Sequence, residues 1–190
     1  LNPDTVIFND ALDKLVKFMD EHPSAAAAGP KLINPDGSVQ MNCRKFPELG
    51  VPAFSRTFLG RLPFARQTMA RYLMREFDHN SSETVDWVLA ACLIVRKKAI
   101  EQVGRLDERF FVYFADVDWC RQFWKAGWQI FYCPAAEIIH YLHRESAENT
   151  GVFSLFKRKI TRVHMTDWFK YLRKYRLESG ILPPKIADLA

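Results

Sequence analysis

The stretch LDERFFVYFADVDWC, residues 106–120, constrains the fold more than any other part of the chain. Its apolar, aromatic run from Phe110 to Phe114 reads as a buried strand, and it stops at two carboxylates, Asp116 and Asp118. From there Val117, Cys120 and Trp124 recur at i, i+3 and i+7, which is helical spacing. A strand that hands over to a helix at a carboxylate predicts an α/β fold, and such corners are where open α/β sheets hold their ligands. Two readings of Asp116 follow from residue type. It is an N-cap that satisfies free amides of the first helical turn, or it is a carboxylate turned to chemistry.

The rest of the chain alternates in the same style. Asn9 or Asp10 can cap a first helix with Leu12, Leu15, Val16 and Met19 on one face, ended by Pro23. Ala25–Ala28 reads as a small-residue strand. Residues 31–43 read as a hairpin turned by Asn34-Pro-Asp-Gly37. Residues 46–80 are irregular, with one short helix near 65–75. Residues 84–88 and 92–95 are strand-like, 97–103 is a helix stopped by Gly104, and the helix from Asp116 is closed by Gly127. Two further strands are expected at 128–132 and 137–140. From 152 to 176 the pattern is helical and amphipathic. Phe153, Phe156, Ile160 and Val163 share one face, while Met165, Trp168, Phe169 and Leu172 share another, so two helices or a bend near His164 are expected.

With 190 residues, 48% hydrophobic and 26% charged, the chain is long enough and apolar enough for one domain with a real core. The longest apolar run, Val88–Val95, falls far short of the ~18 residues of a membrane span. The four cysteines form no C-x-x-C pair and read as buried thiols, which points to a reducing, cytoplasmic setting. The start at Leu1 gives the appearance of a piece cut from a longer parent. Net charge is +5, and its distribution is uneven. Residues 1–140 carry 17 Lys/Arg against 17 Asp/Glu, and residues 141–190 carry 10 against 5. A basic C-terminal field with interleaved aromatics suits an anionic membrane surface, or else it is the solvated face of a packing helix. No helix-turn-helix, RNP or zinc-finger pattern argues for a nucleic-acid partner.

Residues 106–120, followed by AGWQIFYCPAAEIIH at 126–140, resemble the C-terminal half of the family-2 glycosyltransferases, inverting enzymes of the GT-A fold, and in particular bacterial rhamnosyltransferase-type members. The resemblance implies a partial GT-A, Rossmann-like α/β fold lacking its N-terminal nucleotide-binding half. It implies a domain over residues 1–146 and a basic helical extension over 147–190. The family segment usually reads Glu-Asp-Val-Asp and its first Asp is the catalytic base. That role falls on Asp116, while Ala115 stands where the family has Glu. The opening Asn2-Pro3-Asp4 is an Asx-Pro turn on residue type alone. By resemblance it is a variant of the Asp-x-Asp motif, with Asp4 as the ligand of a Mg²⁺ or Mn²⁺ ion and Asn2 in the other position.

His140, at the end of an apolar strand, is a structural residue or, by resemblance, a further metal ligand. In Val85–Cys92 the family has a small-residue segment on the acceptor side, occupied here by Ala90 and Ala91. Trp87 is a core residue or a sugar platform. Asp86 orients an acceptor hydroxyl or pairs with a basic side chain, and Asp118 is grouped with these substrate-side residues. The implied partners are a nucleoside-diphosphate-sugar donor such as dTDP-rhamnose and a saccharide or lipid-linked acceptor. The implied location is the cytoplasm, peripheral to the inner face of the cell membrane. The 190 residues alone are expected not to transfer sugar. A non-catalytic membrane-binding module and a degenerate family member are the alternatives.

Overall fold

The computed structural model describes residues 1–8, 10–48, 50–56, 58–111, 113–141 and 159–175. Its centre is a mixed sheet built around one long strand. The elements used below are β1 (Thr5–Ile7), α1 (Ala11–Glu21), β2 (Ala25–Ile33), β3 (Cys43–Arg44), α2 (Val51–Arg56), α3 (Pro63–Tyr72), β4 (Glu83–Thr84), β5 (Trp87–Val88), β6 (Ile94–Val95), α4 (Lys97–Val103), α5 (Ala115–Lys125), β7 (Gln129–His140) and α6 (Lys159–Tyr175).

In the sheet, β7 lies parallel to β2, and β6 runs antiparallel along the far side of β2. The other side of β7 is shared: β4 pairs with its first half and β1 with its second, both antiparallel. A separate ribbon joins β3 to β5, with Cys43 opposite Val88 and Arg44 opposite Trp87. The parallel pair is buried on both faces. One face meets α1, whose Ala11, Leu15, Phe18 and Met19 pack with Ala25, Ala28, Leu32 and Ile138. The other face meets β5, α5 and α6 through Ile130, Tyr132, Val88, Phe123, Trp124 and Trp168. The alanine run of β2 has no long side chains, so both layers approach the strand closely. At Gly29 a Cβ would meet Val88 Cγ2 at 3.0 Å. The result is an α/β domain of GT-A-like partial architecture.

Several sequence expectations need correction. Residues 110, 111, 113 and 114 do not form a strand. Phe110 and Phe114 are buried but Phe111 is 79% exposed, a spacing of four rather than two. Phe114 has φ 65°, a left-handed conformation that no ladder accepts. The run is a turn-rich approach to α5, buried by side-chain packing instead of pairing; Val112 lies outside the described residues. The strands expected at 128–132 and 137–140 are one strand, β7. Its register breaks so that Pro30 faces Cys133 and Lys31 faces Glu137, leaving residues 134–136 as a bulge.

In α1 the buried face is Ala11, Leu15, Phe18 and Met19, whereas Leu12 and Val16 are half exposed. The α6 helix runs unbroken through His164. Its buried face is Asp167, Trp168, Tyr171 and Tyr175, in phase over two turns, because tyrosines and one buried carboxylate complete a stripe that apolar counting assigns to Phe169, which is 63% exposed. The expected first face of that helix, Phe153 and Phe156, lies outside the described residues. The short helix appears as Pro63–Tyr72, and Gly127 follows α5 with φ 84° as expected of a helix stop. All four cysteines are buried free thiols.

Candidate active site

The parallel pair β2 and β7 places its carboxyl ends on one side of the sheet, the usual ligand side of such sheets. Six sequence-expected residues converge there: Asn2, Asp4, Ala90, Ala91, Asp116 and His140. His140 ends β7 opposite Thr5 of β1, and the Tyr141 amide donates to the Asp4 carbonyl at 2.9 Å. The strand pairing therefore brings Asp4 against His140, with Asp4 Oδ1 3.5 Å from His140 Nε2. Asn2 closes the turn ahead of β1. Its carbonyl accepts from the Thr5 hydroxyl at 2.7 Å, and its amide donates to the Ala91 carbonyl at 2.7 Å. On the neighbouring residue, the Ala90 amide faces Asp116 Oδ2 at 3.5 Å. The small-residue segment 90–91 thus touches both the Asn-Pro-Asp turn and the carboxylate at the head of α5.

Asp116 is not an N-cap. The cap position is Phe114, and Asp116 is the second helical residue, where its Oδ1 accepts from the Val117 amide at 2.9 Å. Burial pushes its carboxyl above the ordinary carboxylate range. The Val117 and Ala90 amides and the Arg44 guanidinium act in the opposite direction without cancelling the shift. Arg44 is a neighbour that sequence patterning missed. Its guanidinium lies 5.2 Å from the Trp87 ring and 5.6 Å from the Tyr72 ring, a stacked cation on the approach to Asp116. The only sequence signal for it is its alternation with Trp87 across a two-residue ribbon.

The remaining expected residues are engaged in the fold. Trp87 is 4% exposed, and its indole N–H donates to the Lys45 carbonyl at 2.9 Å. Asp86 accepts from the Phe46 amide at 2.7 Å and pairs with Lys45 at 3.4 Å. Asp118 is fully buried. It is held by Lys174 Nζ at 2.8 Å, the Tyr175 hydroxyl at 2.6 Å and Gln122 Nε2 at 2.6 Å. These contacts enclose Asp118 between α5 and α6.

The donors fit a hard divalent cation. Asp4 Oδ1 is a buried atom with no hydrogen-bond donor, and it faces an imidazole nitrogen. Two ligands at right angles on Mg²⁺ lie about 3 Å apart, close to the spacing of this pair. Among the described residues no group of three or more His, Cys, Asp or Glu forms a metal cluster. The chain's own described ligands would be these two, one carboxylate oxygen and one imidazole nitrogen, a pair that suits Mn²⁺ better than Mg²⁺, with phosphate and water completing the shell.

Comparisons with known proteins identify the family of the chain. The family model described as "Glycosyltransferase like family 2" matches residues 1–172. An N-acetylglucosaminyl-diphospho-decaprenol L-rhamnosyltransferase of Mycobacterium tuberculosis is 30% identical over 187 residues, covering 95% of this chain and 59% of its own length. Rhamnosyltransferase WbbL of Escherichia coli is 28% identical over 181 residues, covering 95% and 62%. The dTDP-rhamnosyl transferase RfbF of Shigella flexneri is 25% identical over 172 residues, covering 90% and 51%. The chain therefore spans between half and two thirds of the length of these relatives. It belongs to the family-2-like glycosyltransferases, in the neighbourhood of the rhamnosyltransferases.

Proposed function

We propose that the protein transfers a sugar, rhamnose by analogy with its relatives, from a nucleoside-diphosphate donor to a saccharide or lipid-linked acceptor with inversion at the anomeric carbon. The observation that carries this reading is the placement of Asp116 in the first turn of α5, with a raised pKa, across residues 90–91 from the Asn2-Asp4-His140 group. A carboxylate above its usual range is a better proton acceptor near neutral pH than an ordinary one. Asp116 takes the proton of the acceptor hydroxyl as that oxygen bonds to the anomeric carbon. The bond to the diphosphate breaks on the opposite face, and the diphosphate leaves with the electron pair. Asp4 and His140 would hold a Mg²⁺ or Mn²⁺ ion. When bound, the cation supplies Lewis-acid neutralisation of the leaving diphosphate. The Ala90 amide faces the Asp116 carboxylate, and together with the charge of the Arg44 guanidinium it limits how far burial raises the Asp116 pKa.

A membrane-surface role accompanies this reading. The outward face of α6 carries Arg162, Thr166, Phe169 and Arg173, all exposed. An aromatic side chain between two arginines suits an anionic interface. Among the described residues no helix is long and apolar enough to cross a membrane.

The test is acceptor-dependent release of nucleoside diphosphate by the full chain encoded by its gene, over a donor panel with Mn²⁺ or Mg²⁺. Asp116→Asn is expected to lower kcat by about 10²–10⁴-fold while donor binding persists. Equal rates in the two proteins would remove Asp116 from the chemistry. No transfer with any donor would remove the enzymatic reading.

A further inference from the structure

Gln40 sits at the end of the turn that follows β2, and nothing in its sequence surroundings marks it. In the structure it is 7% exposed and touches His140, itself 2% exposed, from two directions. Its Nε2 donates to the His140 backbone carbonyl at 2.7 Å and to Asn34 Oδ1 at 2.7 Å. Its Oε1 lies 2.9 Å from His140 Nδ1.

These contacts fix a proton. A backbone carbonyl only accepts, so the amide nitrogen of Gln40 must face it, and Oε1 must face the ring. An amide oxygen has no hydrogen to give. His140 Nδ1 therefore carries the hydrogen and donates it. In the neutral ring, Nε2 is then left with its lone pair, directed at the orphaned Asp4 Oδ1 3.5 Å away. Two electron-rich atoms face each other at the edge of the fold, with His140 buried and the Asp4 side chain 35% exposed, an arrangement open to a cation shared by both. The Gln40 amide is itself anchored. Asn34, which receives its second hydrogen, donates to the Ser38 hydroxyl at 2.8 Å, and the backbone N–H of Gln40 donates to the Leu32 carbonyl at 2.8 Å.

We propose that Gln40 is a positioning residue that holds His140 in the Nδ1–H tautomer and orientation, so that Nε2 is offered to a divalent cation shared with Asp4. The inference rests on the metal reading above. It adds a partner of the kind that metal-bound histidines use to set ring orientation and basicity.

The experiment has two readouts on the full chain. The first is ¹⁵N NMR of the histidine rings without metal. His140 is expected to show a protonated Nδ1 and an unprotonated Nε2 in wild type, and to lose this single tautomer in Gln40→Leu. The second is titration with Mn²⁺ alone, followed by EPR of the free ion. Gln40→Leu is expected to bind about 10–100-fold more weakly than wild type. Should Gln40→Leu fail to fold, the wild-type tautomer decides. An Nε2–H tautomer or a doubly protonated ring at neutral pH, or unchanged Mn²⁺ affinity in Gln40→Leu while Asp4→Ala loses binding, overturns the role of Gln40. Mn²⁺ binding as tight in Asp4→Ala as in wild type overturns the cation site itself.

Discussion

Lys174→Met removes the charge that ties α6 to the helix carrying Asp116, together with a second ion pair from Lys174 to Asp107 at 2.9 Å. Asp118 is fully buried, and Lys174 is its only cationic partner among the described residues. Removing one member of a buried ion pair costs about 3–5 kcal/mol, because the other charge is left uncompensated. Two donors stay in place here, Tyr175 and Gln122, each at 2.6 Å, and the Lys174 side chain is 22% exposed. Both facts favour the lower end, about 3 kcal/mol. At the 2–4 °C per kcal/mol usual for a domain of this size, Tm should fall by about 6–12 °C. Urea unfolding followed by fluorescence of the buried Trp124 and Trp168 should show a lower midpoint with an unchanged slope. Combining the change with Asp118→Asn removes the orphaned charge. The double variant should then be more stable than the sum of the two losses predicts, by at least about 1 kcal/mol. A loss below about 1 kcal/mol in Lys174→Met, or strict additivity in the cycle, would refute the view that this pair secures α5.

Three other outcomes are expected. The acidic limb of kcat/KM should lie above the ordinary carboxylate range, since burial raises Asp116 and only its ionised form accepts a proton. Arg44→Met should move that limb to still higher pH, since Arg44 favours the ionised form. Phe114→Ala should destabilise by about 3–5 kcal/mol through lost packing on Trp168 and Tyr171. Phe114→Gly should be about as stable or better than the alanine variant, because glycine meets φ 65° without strain; chemical denaturation of the two reads this directly. Phe169→Ser should alter stability by less than about 0.5 kcal/mol while reducing co-sedimentation with anionic vesicles. Unchanged vesicle binding would remove Phe169 from any membrane contact.

The parts of the fold that the sequence announces are those set by local chemistry. The turn at Gly37, the stop at Gly127 and the helix at 63–72 follow from residue preferences that act over a few positions. The segment 110–114 misleads because five aromatic and branched residues are strand-like by composition. What decides their conformation is α6, more than 40 residues later, with Asp167 Oδ2 accepting from the Tyr113 amide at 3.2 Å and an aromatic wall receiving Phe110 and Phe114. The exposure of Leu12 and Val16 is likewise invisible to a count of apolar spacing. In the site, Asp4, His140 and Asp116 are legible because they resemble a family pattern. Gln40 and Arg44 are not, since their parts depend on hydrogen bonds and ring contacts closed over distances of 100 and 43 residues along the chain.

The bulge at residues 134–136 has a consequence for how this chain tolerates length changes. Before the bulge, Cys133 points to the α1 face; Ala136 at its last position and Ile138 beyond it do so too, a step of three that inverts the odd–even phase of the strand. His140 shares the phase of Ile138 because of that inversion. Deleting a single residue within 134–136 would look like a harmless trimming beside a proline. Where the strand closes the gap by slipping one place against β1 and β2, the deletion turns His140 to the opposite side of the sheet, away from Asp4 and Gln40, and puts a neighbouring side chain in its place. The identity of a candidate ligand is thus encoded partly as a count of residues upstream of it. A relative that keeps the histidine but has one residue more or fewer in this stretch would present a different atom to the same corner.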